Sequence, residues 1–243
     1  MDSLHRQDLS QPAKLLLLCT LLAKDGIITA NEKVFLKELV LRRDPRLAAL
    51  LNKFESHSSA NSSFLEAVYS LVEEESRMLF DELFADTGLE VGKALSKRQR
   101  EALELQEEKS LIYGEVDYPS FYRILRKLHV PAGGVFYDLG SGTGKAVFAA
   151  RLTQDFALCV GVEVLSQLHS RASMILDRFN ASFKRYLCFG ASKEVVVVSG
   201  SLTELDWSDG SLVFANSTCF DDDLMLAMSR KAESLAPVRA SLL

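Results

Sequence analysis

Residues 135–145 read VFYDLGSGTGK, and this segment decides the fold that we predict. A short apolar run is followed by Asp138 and then by glycines at every second position from Gly140 to Gly144. Glycine lets a chain turn sharply at a strand end and lets the backbone approach a ligand closely, because no Cβ stands in the way. We therefore expect a strand that leads through a ligand-binding loop into a helix.

The chain after this loop alternates between short apolar runs and amphipathic segments. Such alternation predicts a parallel sheet with helical crossovers, which is an α/β fold of the Rossmann type. The predicted strands are 135–139, 159–164, 195–198, 212–215 and 238–242. The predicted helices are 145–152, 165–187 and 221–235.

The first part of the chain has a different pattern, with apolar residues at helical spacing in 15–23 and 31–41. We predict an all-helical N-terminal region at 1–110 and a ligand-binding domain at 111–243. The charged stretch 96–110 is predicted to be a solvated helix or a linker.

The formal net charge of −5 argues against a protein held to nucleic acid by its overall charge. A local contact with nucleic acid or a nucleosome stays open, because basic residues cluster at Lys93, Lys97, Arg98 and Arg100. Acidic neighbours such as Glu101 favour an ordinary solvated helix face instead.

The cysteines and the apolar runs indicate where in the cell the protein is expected. The four cysteines form no C-x-x-C pair and indicate reduced, buried thiols, so we expect a location in the nucleus or cytoplasm. The apolar run 15–23 is about half of the ~20 residues that a spanning helix needs, so no membrane association is predicted.

No metal site is predicted from the sequence. The segment 24–32 resembles part of a calcium loop, but Leu21 and Ala23 stand where the first oxygen ligands belong. The run Asp221-Asp222-Asp223 is expected to begin a helix, where negative charge is favourable.

A carboxylate downstream strengthens the prediction of a ligand site at the glycine loop. Glu163 follows Gly144 by 19 residues and ends the next predicted strand, where it can accept hydrogen bonds from both hydroxyls of a ribose. Dinucleotide loops read G-x-G-x-x-G and bind a pyrophosphate, which Asp138 would repel. This loop reads G-x-G-x-G, so S-adenosylmethionine, with its ammonium and sulfonium groups, is favoured over a dinucleotide or a turn that binds nothing.

Four short segments carry a more specific resemblance. They are Tyr113-Gly114-Glu115, the run from Phe136 to Gly142, Gly161-Val162-Glu163, and Val213-Phe214-Ala215-Asn216 followed by Phe220. In this order and at these intervals they resemble the disruptor-of-telomeric-silencing family of histone lysine methyltransferases, which are Rossmann-type, lack a SET domain and use S-adenosylmethionine.

The resemblance implies a protein substrate of the histone or nucleosome kind, and a set of site residues. The cofactor-binding residues that it implies are Tyr113, Gly114, Glu115, Val116, Phe136, Asp138, Gly140, Ser141, Gly142, Gly144, Lys145, Glu163, Ser201 and Leu202. The catalytic residues that it implies, around the transferred methyl group and the lysine channel, are Asn216, Tyr113 and Phe220.

The chain also departs from the family pattern. Ser201-Leu202 stands where the family has Asp-Phe, Val116 where it often has Thr, and Lys145 where it often has Gln. The family's C-terminal tyrosine has no counterpart, and the sheet is expected to lack its last C-terminal strands. A methyltransferase for a small molecule or RNA, and a catalytically silent cofactor-binding module, are therefore the alternative functions.

Overall fold

The computed structural model describes residues 62–128, 130, 133–182, 184, 193–233, 235 and 240–242. The helices predicted at 15–23 and 31–41, and the segment that resembles a calcium loop, lie outside the described residues. The chain divides into two compact units, Met1–Leu79 and Phe80–Leu243. The predicted boundary at residue 110 remains a prediction.

The described elements alternate as the sequence predicts, after a purely helical start. The helices are α1 (Ser62–Leu83), α2 (Leu89–Ala102), α3 (Tyr118–Lys127), α4 (Lys145–Thr153), α5 (Ser166–Ser182) and α6 (Asp222–Ala232), with short 3-10 helices at Lys109–Leu111 and Ser217–Cys219. The strands are β1 (Val135–Leu139), β2 (Leu158–Glu163), β3 (Glu194–Ser199), β4 (Leu212–Phe214) and β5 (Ala240–Leu242).

The strands form one parallel sheet in the order β3-β2-β1-β4-β5. At its centre, Asp138 of β1 lies opposite Gly161 of β2 and Phe214 of β4. In a parallel sheet all strands end at the same edge, and ligands bind in the crevice outside those carboxyl ends. The predicted Rossmann-type α/β fold is confirmed.

Apolar side chains cover both faces of the central strand. On one face, Phe136 is fully buried, with its ring centroid 5.5 Å from that of Phe156 and 6.4 Å from that of Phe121. On the other face, Tyr137 and Leu139 pack in a cluster that includes the buried Trp207. Burial on both faces is what a central strand of a helix-covered parallel sheet requires, and it explains the continuous apolar run.

The stretch 96–110 was predicted to be a solvated helix or a linker, and its residues 96–102 do lie in helix α2, but Ser96 and Gln99 are buried rather than solvated. Helix α2 buries Gly92, Ser96 and Gln99, which lie on one face at positions i, i+4 and i+7. The apolar periodicity misses this face because none of the three is a large apolar residue.

One smaller feature follows the sequence prediction. Asp221 begins α6, and its side chain accepts a hydrogen bond from the backbone N–H of Leu224 at 2.8 Å. No helix among the described residues is both long and apolar enough to cross a membrane.

Candidate functional site

A pocket with a volume of about 240 Å³ opens at the carboxyl edge of the sheet. It is bordered by the ends of β1 to β4 and by a segment of residues 109–115 that we call the cover segment. The lining residues are Ser110, Leu111, Ile112, Tyr113, Gly114, Gly140, Gly142, Val162, Glu163, Val164, Leu165, Leu168, Gly200, Ser201, Leu202, Asn216, Phe220 and Leu224.

Glu163 is the fixed carboxylate of this pocket. One of its oxygens, Oε2, accepts the backbone N–H of Gly142 at 2.7 Å, and the other, Oε1, accepts that of Leu165 at 2.8 Å. Burial raises the pKa of Glu163, although these two hydrogen bonds oppose the rise. Each carboxylate oxygen keeps further acceptor capacity, so Glu163 can receive two hydroxyl groups in a set orientation.

Asp138 lies deeper than Glu163 and does not line the pocket. Its residue is only 3% exposed, and no basic side chain in the described part of the chain forms an ion pair with it. Burial and, second, the charge of Glu163 raise the pKa of Asp138 to about 8. A buried carboxylate without a counter-charge favours a cationic ligand group beside it.

The glycine loop has the conformation that only glycine adopts easily. Gly140, Gly142 and Gly144 have φ angles of +84°, +55° and +91°. The backbone N–H groups of Gly140 and Ser141 both donate to the carbonyl of Val162 at 2.9 Å, which ties the loop to β2. The loop is therefore held rigidly at the pocket edge.

Tyr113 of the cover segment packs against this loop. A Cβ on Gly142 would lie 2.5 Å from the Tyr113 ring, so the ring touches bare backbone there. The Tyr113 hydroxyl donates to Glu115 at 2.8 Å and lies 2.9 Å from the Thr143 hydroxyl oxygen. Burial raises the pKa of Tyr113 far above its ordinary value.

An ion pair completes this network. Lys145 Nζ donates to Glu115 Oε1 at 2.7 Å, and both side chains are largely buried. The pair links the cover segment to the first residue of α4. The two side chains satisfy each other, and neither lines the pocket.

Asn216 and Phe220 lie at the same mouth of the pocket, after the end of β4. Asn216 Nδ2 is 3.4 Å from the position of a Cβ on Gly114, and Phe220 Cζ is 3.4 Å from that of a Cβ on Gly140. The amide and the aromatic ring thus border the cover segment and the glycine loop respectively.

The turn after β3 carries two of the predicted cofactor-binding residues. Ser201 and Leu202 line the pocket, and the Ser201 hydroxyl lies 2.7 Å from that of Thr203. The carbonyl of Leu202 accepts the indole N–H of Trp207 at 2.9 Å.

The structure brings most of the predicted site residues together. The predicted residues that line the pocket are Tyr113, Gly114, Gly140, Gly142, Glu163, Ser201, Leu202, Asn216 and Phe220. Those that do not are Glu115, Val116, Phe136, Asp138, Ser141, Gly144 and Lys145. Phe136 belongs to the core and Gly144 precedes the first residue of α4. The role of each residue in ligand binding stays a prediction.

The sequence analysis missed several lining residues. Val164 directly follows Glu163 and is 51% exposed, and an apolar residue in that position is a signal that could have been used. Leu165 directly precedes α5 and Leu168 lies in its first turn, so their role depends on how that helix packs. Ser110 ends the stretch that the sequence analysis assigned to a solvated helix or linker, and Leu111 directly follows it.

Metal chemistry finds no support in the described residues. Across them, no group of three or more His, Cys, Asp and Glu side chains could hold a metal ion. Cys159 and Cys219 are free thiols, and neither lines the pocket.

Comparison with known proteins decides the family. A family model described as histone methylation protein DOT1 matches residues 93–237, which is more than half of the chain. The chain belongs to the DOT1 family. This confirms the family resemblance predicted from the sequence.

Individual proteins resemble this DOT1-family chain over part of its length. A histone-lysine N-methyltransferase specific for lysine 79 of histone H3, from Debaryomyces hansenii, is 31% identical over 136 residues. That match covers 52% of this chain and 11% of the yeast protein, so the chain corresponds to a small part of that relative.

Solved structures show weaker likenesses. A putative S-adenosylmethionine-dependent methyltransferase from Methanococcus maripaludis has a TM-score of 0.41 and 16% identity, covering 60% of this chain and 61% of that one. An RNA methyltransferase from Salinibacter ruber, solved with S-adenosylhomocysteine, has a TM-score of 0.39 and 28% identity, covering 51% and 72% respectively. Likenesses this weak say nothing about the methyl acceptor.

Proposed function

We propose that this chain is an S-adenosylmethionine-dependent protein-lysine N-methyltransferase that acts on a histone. The observation that carries the proposal is the fixed carboxylate of Glu163. Two backbone N–H groups orient it at 2.7 and 2.8 Å beside a glycine loop, at the carboxyl edge of a parallel sheet. Family membership supports the choice of the transferred group and of the acceptor class.

The residues in and just behind the pocket wall fit the cofactor in four places. Glu163 would hold the two ribose hydroxyls, and the loop from Gly140 to Gly144 offers bare backbone for a close approach. Asp138 would balance the ammonium group of the amino-acid part, since its buried charge lacks a partner. Ser201 and Leu202 would border the adenine. When bound, the cofactor supplies a methyl group on a positively charged sulfur.

Methyl transfer depends on the alignment of the reacting groups and the exclusion of water more than on proton transfer by the protein. Methylation needs a neutral amine, and a narrow apolar channel favours the neutral form of a lysine by disfavouring its ammonium form. We assign the walls of that channel to Phe220 and Tyr113, and the orientation of the amine to the side-chain carbonyl of Asn216. Exclusion of water and a fixed approach direction provide most of the acceleration.

The Debaryomyces hansenii relative supports a proposal for the acceptor and the compartment. The Debaryomyces hansenii protein is specific for lysine 79 of histone H3, and we propose a histone lysine as the acceptor here and the nucleus as the location. A nucleosome contact through Lys93 and Lys97 of α2 belongs to the same proposal, because their ammonium groups are half exposed or more.

The first test measures binding of S-adenosylhomocysteine by calorimetry in wild type, Glu163→Gln and Glu204→Gln. Glutamine can accept only through its one carbonyl oxygen, so its amide group would face a backbone N–H donor. We expect Glu163→Gln to weaken binding at least tenfold, as the loss of a hydrogen bond to a charged group predicts. The exposed Glu204 is the matched control and should bind as wild type does.

The second test measures methyl transfer from radiolabelled cofactor to nucleosomes, free histones, RNA and small molecules. We expect label on histone lysines and its loss in Asn216→Ala. Label on RNA or a small molecule instead would contradict the acceptor. Cofactor binding with no transfer to any of them would favour the silent binding module, and absence of binding would contradict the cofactor site.

A further inference from the structure

Helix α2 presents an unusual buried face. Its buried residues are Gly92, Ser96 and Gln99, and Leu95 between them packs against the cluster of Tyr113, Leu165 and Leu168. All three residues of that cluster line the pocket. A surface helix normally buries an apolar stripe. The buried face of α2 instead carries a glycine, a hydroxyl and an amide, and buried polar groups need hydrogen-bond partners.

Two of these residues contact the cover segment. A Cβ on Gly92 would lie 2.2 Å from Tyr113 Cε1, so the Tyr113 ring rests on helix backbone that only glycine leaves open. The same ring touches bare backbone at Gly142 on its other side. Ser96 Oγ donates to the carbonyl of Leu111 at 2.8 Å. The cover segment is thereby held between α2 and the glycine loop.

Gln99 contacts the other wall of the pocket. Its side-chain carbonyl accepts the backbone N–H of Gln167 at 2.7 Å, in the first turn of α5. The first N–H groups of a helix have no partner within the helix and need an external acceptor. Arg98 contacts the same turn of α5, because its guanidinium donates to Gln167 Oε1 at 2.8 and 2.6 Å. The turn fixed in this way carries Leu165 and Leu168.

We propose that Gly92, Ser96 and Gln99 are positioning residues that set the affinity for the cofactor by holding the cover segment and the start of α5 in their binding-competent arrangement. None of the three lines the pocket, and each acts through a residue that does. The inference rests on the proposed function, since it assumes that S-adenosylmethionine occupies this pocket.

The test uses the full chain and two matched pairs of variants. Gln99→Met removes the acceptor at similar side-chain length, whereas Gln99→Glu keeps an acceptor and adds negative charge at a helix N-terminus, where it is favourable. Gly92→Ala places a methyl group against Tyr113, whereas Gly88→Ala, before the same helix, meets open space within 4 Å. The readouts are the Kd of S-adenosylhomocysteine, the KM for S-adenosylmethionine, kcat and the melting temperature without ligand.

We expect Gln99→Met and Gly92→Ala to raise Kd and KM about tenfold, the factor of one lost buried contact. The kcat at saturating cofactor should change much less, because the chemistry is untouched. Gln99→Glu and Gly88→Ala should stay close to wild type. All values are taken well below the melting temperature of each variant, so that a loss of folded protein does not enter Kd.

The results separate this inference from the proposed function. If the wild type does not bind S-adenosylhomocysteine, the proposed function fails. If the wild type binds and Gln99→Met binds equally well, or if Gln99→Glu is as weak as Gln99→Met, only the positioning role is overturned. Should Gln99→Met fail to fold, Ser96→Ala takes its place with the same expected rise in Kd.

Discussion

Asp138 is almost completely buried, and no basic side chain in the described part of the chain pairs with it. Its pKa of about 8 means that the folded chain without ligand keeps this carboxyl group mostly protonated at neutral pH. A cationic group placed beside it would favour the carboxylate and expel the proton. Ligand binding is therefore coupled to the ionisation of one named residue.

The expected consequence is an affinity for S-adenosylhomocysteine that rises between about pH 6 and pH 8, because binding releases a proton below the raised pKa. Above about pH 8 the gain should end, because the carboxyl group is then already ionised in the chain without ligand. Calorimetry across this range measures the profile. In Asp138→Asn the rise on the acid side should disappear, and an unchanged rise would show that another group titrates.

The same carboxyl group affects stability in the absence of ligand. Its pKa in the folded chain lies above the ordinary value of 3.8, so the folded state binds the proton more tightly than the unfolded state does. The stabilisation is complete at low pH and is lost as the pH rises toward 8.

Replacement of two glycines distinguishes backbone strain from contact with Tyr113. Gly142 lies in the loop between β1 and α4, and Gly133 precedes β1. Gly142 and Gly133 both have positive φ angles, of +55° and +78°. A Cβ on Gly142 would lie 2.5 Å from the Tyr113 ring, whereas one on Gly133 meets nothing within 4 Å.

Both alanine replacements should therefore lose about 1–2 kcal/mol of unfolding free energy, the cost of a left-handed backbone for a residue with a Cβ. Only Gly142→Ala should also weaken binding of S-adenosylhomocysteine, by tenfold or more, because it displaces Tyr113. Urea unfolding and calorimetry on the two variants measure the two effects. Equal affinities would mean that the Tyr113 contact does not shape the pocket.

The strands and the loop could be predicted because their signals are local. Apolar runs of 4 to 6 residues gave β1 its observed bounds and the other described strands theirs to within about two residues. Glu163 was predictable for the same reason, since its distance from Gly144 along the chain places it at the end of the next strand.

The contribution of α2 could not be predicted. The contacts of this helix join residues that are far apart in the sequence. The separation is 21 residues for Gly92 and Tyr113, 15 for Ser96 and Leu111, and 68 for Gln99 and Gln167. No local sequence pattern reveals such pairs. A polar buried face also looks like a solvent-exposed one when apolar periodicity is the signal. The ion pair of Glu115 with Lys145 depends in the same way on the folded arrangement of the cover segment.

The whole chain can be divided in two ways that make different predictions. The sequence boundary assigns the cofactor site to 111–243, whereas the compact unit of the structure is Phe80–Leu243 and includes α2. We expect a chain of residues 80–243 to bind S-adenosylhomocysteine within about threefold of the full chain, and a chain of residues 111–243 to bind at least tenfold more weakly, because it lacks the contacts of α2.

Calorimetry on the two shortened chains and on the full chain measures this difference, with melting curves to show that each is folded. Equal binding by 111–243 and the full chain would support the boundary at 110 and would leave α2 without influence on the site.

The position of Trp207 makes its fluorescence a reporter of the pocket. It is the single tryptophan of the chain, it is 1% exposed, and its indole N–H is bonded to the carbonyl of a pocket-lining residue, Leu202. All tryptophan emission of this protein thus originates one hydrogen bond away from the adenine side. Any ligand that moves the turn after β3 should change the wavelength or the intensity of that emission. Ligand binding can therefore be titrated without attaching a dye.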